Sequence, residues 1–401
     1  MTLRGRVSQN AINTMLDNVT QWTREGSASL QIPISSSAGR FKSLGDLNIG
    51  IEKSFSRTSR VGAITNATYS LQWQSATWLR LAGSIAKGRT PPSVELKSGP
   101  IIATPGMRYL DPLIGNTIDV VSLTGGNPAL STQRGNNQRL SLELRPLVSI
   151  PVLFTADYAN SRDSDIITTL PTGNNLLLLA FPERFVRDGN GRLVSVDTRP
   201  LNFARQSEEQ ILYGLEFTVP FGSKKASASD VQETVNNRLA LGTSRLRFNI
   251  SHTILLKSEV LVSTGFAPVD LLSRNAFSFS SGERPRHELN FGADYAARGL
   301  GVQFNGQYMG QSFVNLTGGS APNILRFSPL ATLNVRAFIE GKRLLPLASW
   351  LKSTRLSLLI TNIGNERQKV GDASGVTPLF YQAAYRDPTG RSVTVELRKV
   401  F

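Results

Sequence analysis

The stretch that decides the fold is Arg391-Ser-Val-Thr-Val-Glu-Leu-Arg-Lys-Val-Phe401. Val393, Val395, Leu397 and Phe401 fall on one face of an extended chain, and Ser392, Thr394, Glu396 and Arg398 on the other. Alternation at period two marks a strand with one apolar and one polar face. A transmembrane β-barrel puts the apolar face in lipid and the polar face in a wet lumen. The last strand of a soluble sandwich would alternate in the same way, so this strand alone does not choose between them. Lys399 dissents on the apolar face, where a lysine near an interface snorkels at little cost.

The same alternation recurs outward from the C-terminus. Leu289, Phe291, Ala293 and Tyr295 share a face, as do Val302, Phe304 and Tyr308 across the turn at 298–299. Leu140, Leu142 and Leu144 alternate with Arg139, Ser141, Glu143 and Arg145. Val152, Phe154, Ala156 and Tyr158 begin a return strand; similar runs at 44–56, 62–74, 77–89, 209–221, 243–256, 327–341 and 354–363, with weaker ones near 3–10 and 22–34, bring the count to about fourteen strands. Pro33 is expected to end the second of them. Short turns near 75–76, 148–149 and 298–299 fall on one side of the sheet. The long loops near 90–135, 162–208, 257–285, 314–326 and 364–389 fall on the other. Short turns on one side and long loops on the other are the barrel pattern, which a sandwich has no reason to follow. The linker 222–242, with room for a short helix, is long on the short side.

Composition agrees. The chain has 401 residues, a net charge of +15 and 40% hydrophobic residues. No apolar run reaches the eighteen or so residues that a spanning helix needs, and a barrel conceals its hydrophobicity because only alternate residues meet lipid. Absence of cysteine excludes a disulfide framework, thiol catalysis and cysteine-ligated zinc. The basic residues are dispersed along strands, as in Arg245 and Arg247, which suits a charged wall better than a nucleic-acid stripe. Met1 to Asn10 carries no apolar signal-peptide core, so the reading is of a chain that begins inside a longer protein.

Four segments in order resemble TonB-dependent outer-membrane receptors. Leu356-Ser-Leu-Leu-Ile-Thr-Asn-Ile-Gly-Asn365 resembles their penultimate strand, and Arg386-Asp-Pro-Thr-Gly-Arg-Ser-Val393 with Phe401 their closing strand. Trp78 to Ser93 is similar to the strand ending in an Arg-x-Pro-Ser loop, and Gly126-Asn-Pro-Ala-Leu130 to the segment before the next strand. The resemblance covers about residues 45 to 401. It implies an all-β fold: an antiparallel transmembrane β-barrel segment of about 14 strands from a 22-stranded barrel, with 1–401 as its C-terminal portion and no plug domain. It further implies a Gram-negative outer-membrane location and active transport of a scarce bulky nutrient such as an iron chelate. Energy would reach it from the TonB complex through a plug that this sequence lacks. The terminal Phe401 would be the assembly signal. Outer-membrane lipid and lipopolysaccharide are the expected partners besides the unknown transported ligand, and no nucleic acid is expected. The alternative is a passive pore or adhesin-like barrel.

No catalytic, cofactor-binding or metal site is expected. His252 and His287 lack ligating neighbours in sequence, Gly125-Gly126 lacks the lysine and helix of a phosphate loop, and Ser161-Arg-Asp163-Ser-Asp165 reads as a solvated loop entry. Ligand-binding residues are unknown from sequence. Arg108-Tyr109 and Phe181 to Arg187 offer aromatic and cationic groups either to a ligand or to lipopolysaccharide phosphates. The facing of the closing strand is testable. Val395→Arg should destabilise the barrel by about 2–4 kcal/mol, and Thr394→Arg by much less; equal losses of folded protein in an assembly assay would reverse the assignment.

Overall fold

A computed structural model describes residues 2–14, 19–37, 39, 42–58, 62–146, 151–171, 175–221, 244–274, 276, 284–297, 299–315, 324–344 and 353–399. Fourteen strands follow one another in a single antiparallel path. They are β1 (Thr2–Thr14), β2 (Val19–Ser35), β3 (Asp46–Thr58), β4 (Gly62–Ala76), β5 (Leu79–Thr90), β6 (Gln133–Leu144) and β7 (Val152–Thr168). The second half comprises β8 (Leu201–Phe221), β9 (Ser244–Leu261), β10 (His287–Ala297), β11 (Leu300–Met309), β12 (Leu330–Glu340), β13 (Thr354–Thr361) and β14 (Ser392–Lys399). Each pairs with its neighbours in sequence, and a two-residue strand, Val269–Asp270, adds to β9. No helix among the described residues is long and apolar enough to cross a membrane, which says nothing of a wall that crosses with strands.

Register turns the alternation into two continuous faces. One tier runs Ile49, Leu71, Gly83, Leu140, Tyr158, Ile211, Ile254 from β3 to β9. Another runs Tyr295, Val302, Ala337, Leu358, Val395 from β10 to β14. These side chains are left uncovered: Leu140 is 55% exposed and Val395 68%. A soluble sheet would bury such a face, whereas a sheet facing lipid leaves it bare. Phe291 lies across Gly306, where a Cβ would come within 2.0 Å of the ring, so the glycine is what lets the aromatic ring lie flat on the wall.

The opposite face is polar and carries several ion pairs. Arg139 meets Asp157 at 2.9 Å, Arg145 meets Glu143 at 3.1 Å, Arg247 meets Glu216 at 2.9 Å and Arg336 meets Glu396 at 3.2 Å. Near the short-turn end Arg355 reaches Glu340 at 3.3 Å and lies over the Phe338 ring, 4.5 Å from its centroid.

The connections keep the expected parity. The turns 77–78, 145–151 and the connection 341–353 share one end of the wall, while 91–132, 169–200, 262–286, 310–329 and 362–391 share the other. Three details differ from the sequence reading. Pro33 does not end β2, which continues to Ser35 through an irregularity in its pairing with β3 that accommodates the missing N–H. β7 and β8 run on to Thr168 and back to Leu201, so Asp163 lies within a strand rather than a loop entry. The segment 91–132 is ordered into a helix and strands rather than irregular. Phe401 and the linker 222–242 lie outside the described residues.

Among the described residues β1 pairs only with β2, and β14 only with β13. In hydrocarbon each unpaired backbone N–H or C=O costs several kcal/mol. Residues 1–401 expressed alone behind a signal peptide should therefore aggregate or stay in the periplasm. A heat-modifiable, protease-resistant species in outer-membrane fractions would contradict this.

Candidate functional site

The candidate site is the cap that the long loops build on one end of the wall. Pro91-Pro92 ends β5, and Ser93 caps the short helix Val94–Ser98 by accepting the Leu96 N–H at 3.2 Å. Ile102–Leu110 and Thr117–Thr124 then form a hairpin. Gly125 closes its base at φ +120°, with the Pro100 carbonyl only 2.1 Å from where a Cβ would sit. Gly125-Gly126 is thus a packing device at a loop base, and Asn127 N–H donates back to the Leu96 carbonyl at 2.7 Å.

The second loop, 169–200, docks on the first. Leu193–Asp197 pairs in parallel with Thr117–Thr124 and antiparallel with Phe185–Arg187, giving a four-stranded sheet. Beneath it lies a large buried core. Leu177, Leu193, Val196, Phe203 and Val260 are fully buried there, joined by Tyr109, Phe185 and Leu271. Phe181 stacks on Phe203 with centroids 6.0 Å apart, and Tyr109 tilts against Phe185 at 6.3 Å. Asn127 Nδ2 donates to the Pro200 carbonyl at 2.8 Å, and Asn202 Oδ1 accepts the Ser131 N–H at 2.8 Å, so side-chain amides bridge the two loop bases.

Charge completes the lock. Asp111 is buried, and Arg187 donates to both its oxygens at 2.7 and 2.8 Å. Arg187 thereby pulls the Asp111 carboxyl below its ordinary pKa; burial pushes the other way, and the Leu113 N–H at 3.0 Å adds to the lowering. Buried Arg184 donates to the carbonyls of Asp197, Arg199 and Pro200 at 3.2, 2.6 and 3.3 Å. Arg199 forks onto the Asp197 carboxylate at 2.9 and 2.7 Å.

A smaller unit stands beside this one. Ser312–Asn315, Ile324–Phe327 and Val370–Gly371 form a three-stranded sheet across the last two loops, with Phe327 buried beneath it. Tyr381 meets Phe327 edge to face at 5.7 Å, and the Arg386 guanidinium lies 5.0 Å from the Phe327 centroid. At the loop's exits Asn362 and Asn365 take φ of +52° and +54°. Asn362 exchanges hydrogen bonds with the Glu366 backbone at 2.8 and 3.0 Å, and Asn365 Oδ1 accepts the Arg391 N–H at 3.0 Å.

This geometry redistributes the sequence candidates. Tyr109, Phe181, Arg184, Phe185 and Arg187 hold the cap together, while Arg108, Glu183 and Val186 remain exposed. The cap presents a surface the sequence reading missed: Ile101, Ile102, Met107, Leu113, Ile114 and Leu179 are 47–68% exposed. The signal was there, as apolar residues inside Pro- and Gly-rich loops. His252 and His287, far apart in sequence, stand side by side on the apolar face of β9 and β10, with His252 Nε2 3.3 Å from His287 Nδ1 and Tyr213 Oη 2.7 Å from His252 Nδ1. Among the described residues no group of three or more metal-ligating side chains gathers.

Asp111→Asn should loosen the cap by about 3 kcal/mol, because it leaves the largely buried Arg187 without its charge partner. Protease nicking within 91–132 and 169–200 should accelerate while the heat-modifiable mobility of the barrel is kept. The same contribution is pH-dependent. A depressed carboxyl contributes fully above its unfolded pKa, about 3.9, and the contribution is lost as pH falls through the lower folded value. Wild-type loops should therefore gain protease sensitivity only at more acid pH, and Asp111→Asn should remove that dependence.

Three comparisons place this architecture. The family model described as "TonB dependent receptor-like, beta-barrel" matches residues 34–363. Comparison with curated proteins gives no match. Among solved structures, the siderophore receptor PirA from Acinetobacter baumannii is similar at a TM-score of 0.56 and 13% identity, over 97% of this chain and 47% of that one. A mutant of the ferric enterobactin receptor PfeA from Pseudomonas aeruginosa is similar at 0.50 and 14% identity, over 98% and 53%. The chain spans about half the length of these receptors. With its apolar outer tier, its inner-face ion pairs and its loops gathered at one end, the chain belongs to the TonB-dependent receptor β-barrel family.

Proposed function

We infer that residues 1–401 are the C-terminal portion of an outer-membrane active-transport receptor for a scarce bulky nutrient, an iron chelate being the leading class. The observation that carries this reading is the preformed cap. Two loops about seventy residues apart share one sheet, one buried core, buried Arg184 and half-buried Arg187. A passive pore needs loops that leave its mouth clear. A receptor needs an ordered surface, because every loop already fixed before binding is entropy the ligand does not have to supply.

The substrate class comes from the similar receptors, which are named for a siderophore and for ferric enterobactin. The surface here suits it. Exposed Ile102, Met107, Leu113 and Leu179 offer apolar contact to a ring-bearing chelator, and Arg108 a cation for its anionic oxygens. On the wall behind, Arg139–Asp157, Arg247–Glu216 and Arg336–Glu396 neutralise one another. A plug outside this stretch would gate the lumen and couple it to TonB.

Radiolabelled ferric-chelate uptake by cells carrying the full-length receptor as their sole receptor tests the reading. Uptake should saturate, require a functional TonB, and fall when Met107 and Leu113 are both changed to Asp. Uptake of small solutes that is linear in concentration and indifferent to TonB would assign a pore instead.

A further inference from the structure

The chain has two histidines among 401 residues, and the fold brings them together from 35 positions apart. Register sets Tyr213, His252, Leu289 and Tyr308 in one tier across β8 to β11, with His287 opposite Ile254 in the next tier toward the loops. The histidines share the phase of Ile211 and Ile254, so they stand on the outer face and not in the lumen. His287 opens β10 and is exposed, which puts the pair at the rim where the wall passes into the loops. Tyrosines such as Tyr213 and Tyr308 are what a barrel sets at the border of hydrocarbon and water. Water and its dissolved ions therefore reach the two rings.

His252 Nε2 stands 3.3 Å from His287 Nδ1, while the ring centroids are 5.4 Å apart and the planes are inclined by 27°. The nitrogens are far closer than the centroids, so the rings meet nearly edge to edge and share one proton. Tyr213 Oη lies 2.7 Å from His252 Nδ1 on the other side of the ring. Two nitrogens held by one tetrahedral ion at about 2.0–2.1 Å stand about 3.3 Å apart. The two histidines already have the spacing of a chelating pair. A small turn of each ring about Cβ–Cγ brings both lone pairs onto an ion that takes the place of the shared proton. Both imidazoles stay neutral, the proton moving to the far nitrogen of its own ring. On His252 that nitrogen is Nδ1, and the Tyr213 hydroxyl is placed to accept its N–H. Metal-bound histidines are commonly oriented through their second nitrogen in this way.

We propose that His252 and His287 form a two-nitrogen site for a divalent cation of the nickel, copper and zinc group, with Tyr213 as the positioning residue and water completing the shell. Among the described residues no third metal-ligating side chain joins them. Imidazole nitrogen suits these ions, whereas magnesium and calcium favour oxygen. The ion ties β9 to β10 at the rim, beside the loop 262–286 that connects them. The site lies outside the lumen, so it is separate from the path of any cargo and does not depend on what the receptor transports.

The test uses the untagged full-length receptor in detergent, with Cu²⁺ as probe and electron paramagnetic resonance as readout. One bound equivalent should show hyperfine coupling to two imidazole nitrogens. H252Q and H287Q should each lose that two-nitrogen signal, and the double variant should lose the equivalent. Tyr213→Phe should keep both nitrogens and weaken copper about tenfold. Affinity should fall from copper to nickel to cobalt, and magnesium and calcium should not compete. Heat-modifiable gel mobility verifies folding. A second measurement needs no variant: zinc should protect both wild-type histidines from diethyl pyrocarbonate, read by peptide mass spectrometry, and magnesium should not. A copper signal unchanged in the folded double variant, or two-nitrogen coupling kept by either single variant, would overturn the proposal. So would histidines that zinc leaves fully reactive or that magnesium protects equally. Undiminished copper affinity in Tyr213→Phe would overturn the role given to Tyr213.

Discussion

Everything in this chain follows from the need to pair backbone amides where there is no water. Within hydrocarbon the ladder between neighbouring strands is the only partner available to N–H and C=O groups. The fourteen-strand meander meets that need by pairing each strand with its neighbour in sequence. Once the ladder is fixed, alternate side chains have no choice of environment. Leu140 and Tyr158 face outward because Arg139 and Asp157, their neighbours in sequence, face inward and meet each other. Membrane insertion and a charged lumen are two outcomes of one geometric rule.

The wall itself contains little that resembles a core. Its apolar residues are spent on lipid, and its polar residues line the interior. The tightly packed apolar centre lies instead in the loops, where water is excluded by side chains and not by the bilayer. There the usual rules of soluble domains return. Leu177 and Phe203 are wholly buried, buried Arg184 has carbonyl acceptors, and buried Asp111 has a bidentate cation. The molecule is built under two solvents, and the change of rule occurs along single strands: β8 begins among the buried side chains of the cap at Leu201 and Phe203 and ends on the lipid-facing tier.

How far the sequence can be read follows the same division. Period-two alternation is a local property, so the strands, their faces and the parity of their connections were legible, from Val393, Val395 and Leu397 back to Leu47 and Ile49. Four short motifs were enough to indicate the family. The cap was not legible. Its sheet is made by Val121 and Ser195, which no local pattern connects, and its core residues alternate with nothing. Tyr109 and Arg187 looked like surface groups because aromatic and charged residues in a Pro-rich loop usually are. Only the fold shows that Phe185 covers one and Asp111 neutralises the other. The two histidines were read as isolated for the same reason, since their 3.3 Å approach spans two strands.

The parallel pairing of Thr117–Thr124 with Leu193–Asp197 carries a consequence for the order of assembly. A parallel ladder cannot close through a tight turn; here the two segments are brought level only by the β6–β7 hairpin, which carries the chain down the wall and back. The long closure must be paid before any of the cap's contacts repay it. The cap therefore depends on the wall in this sense: its parallel ladder has no route to closure until at least the β6–β7 hairpin is in place.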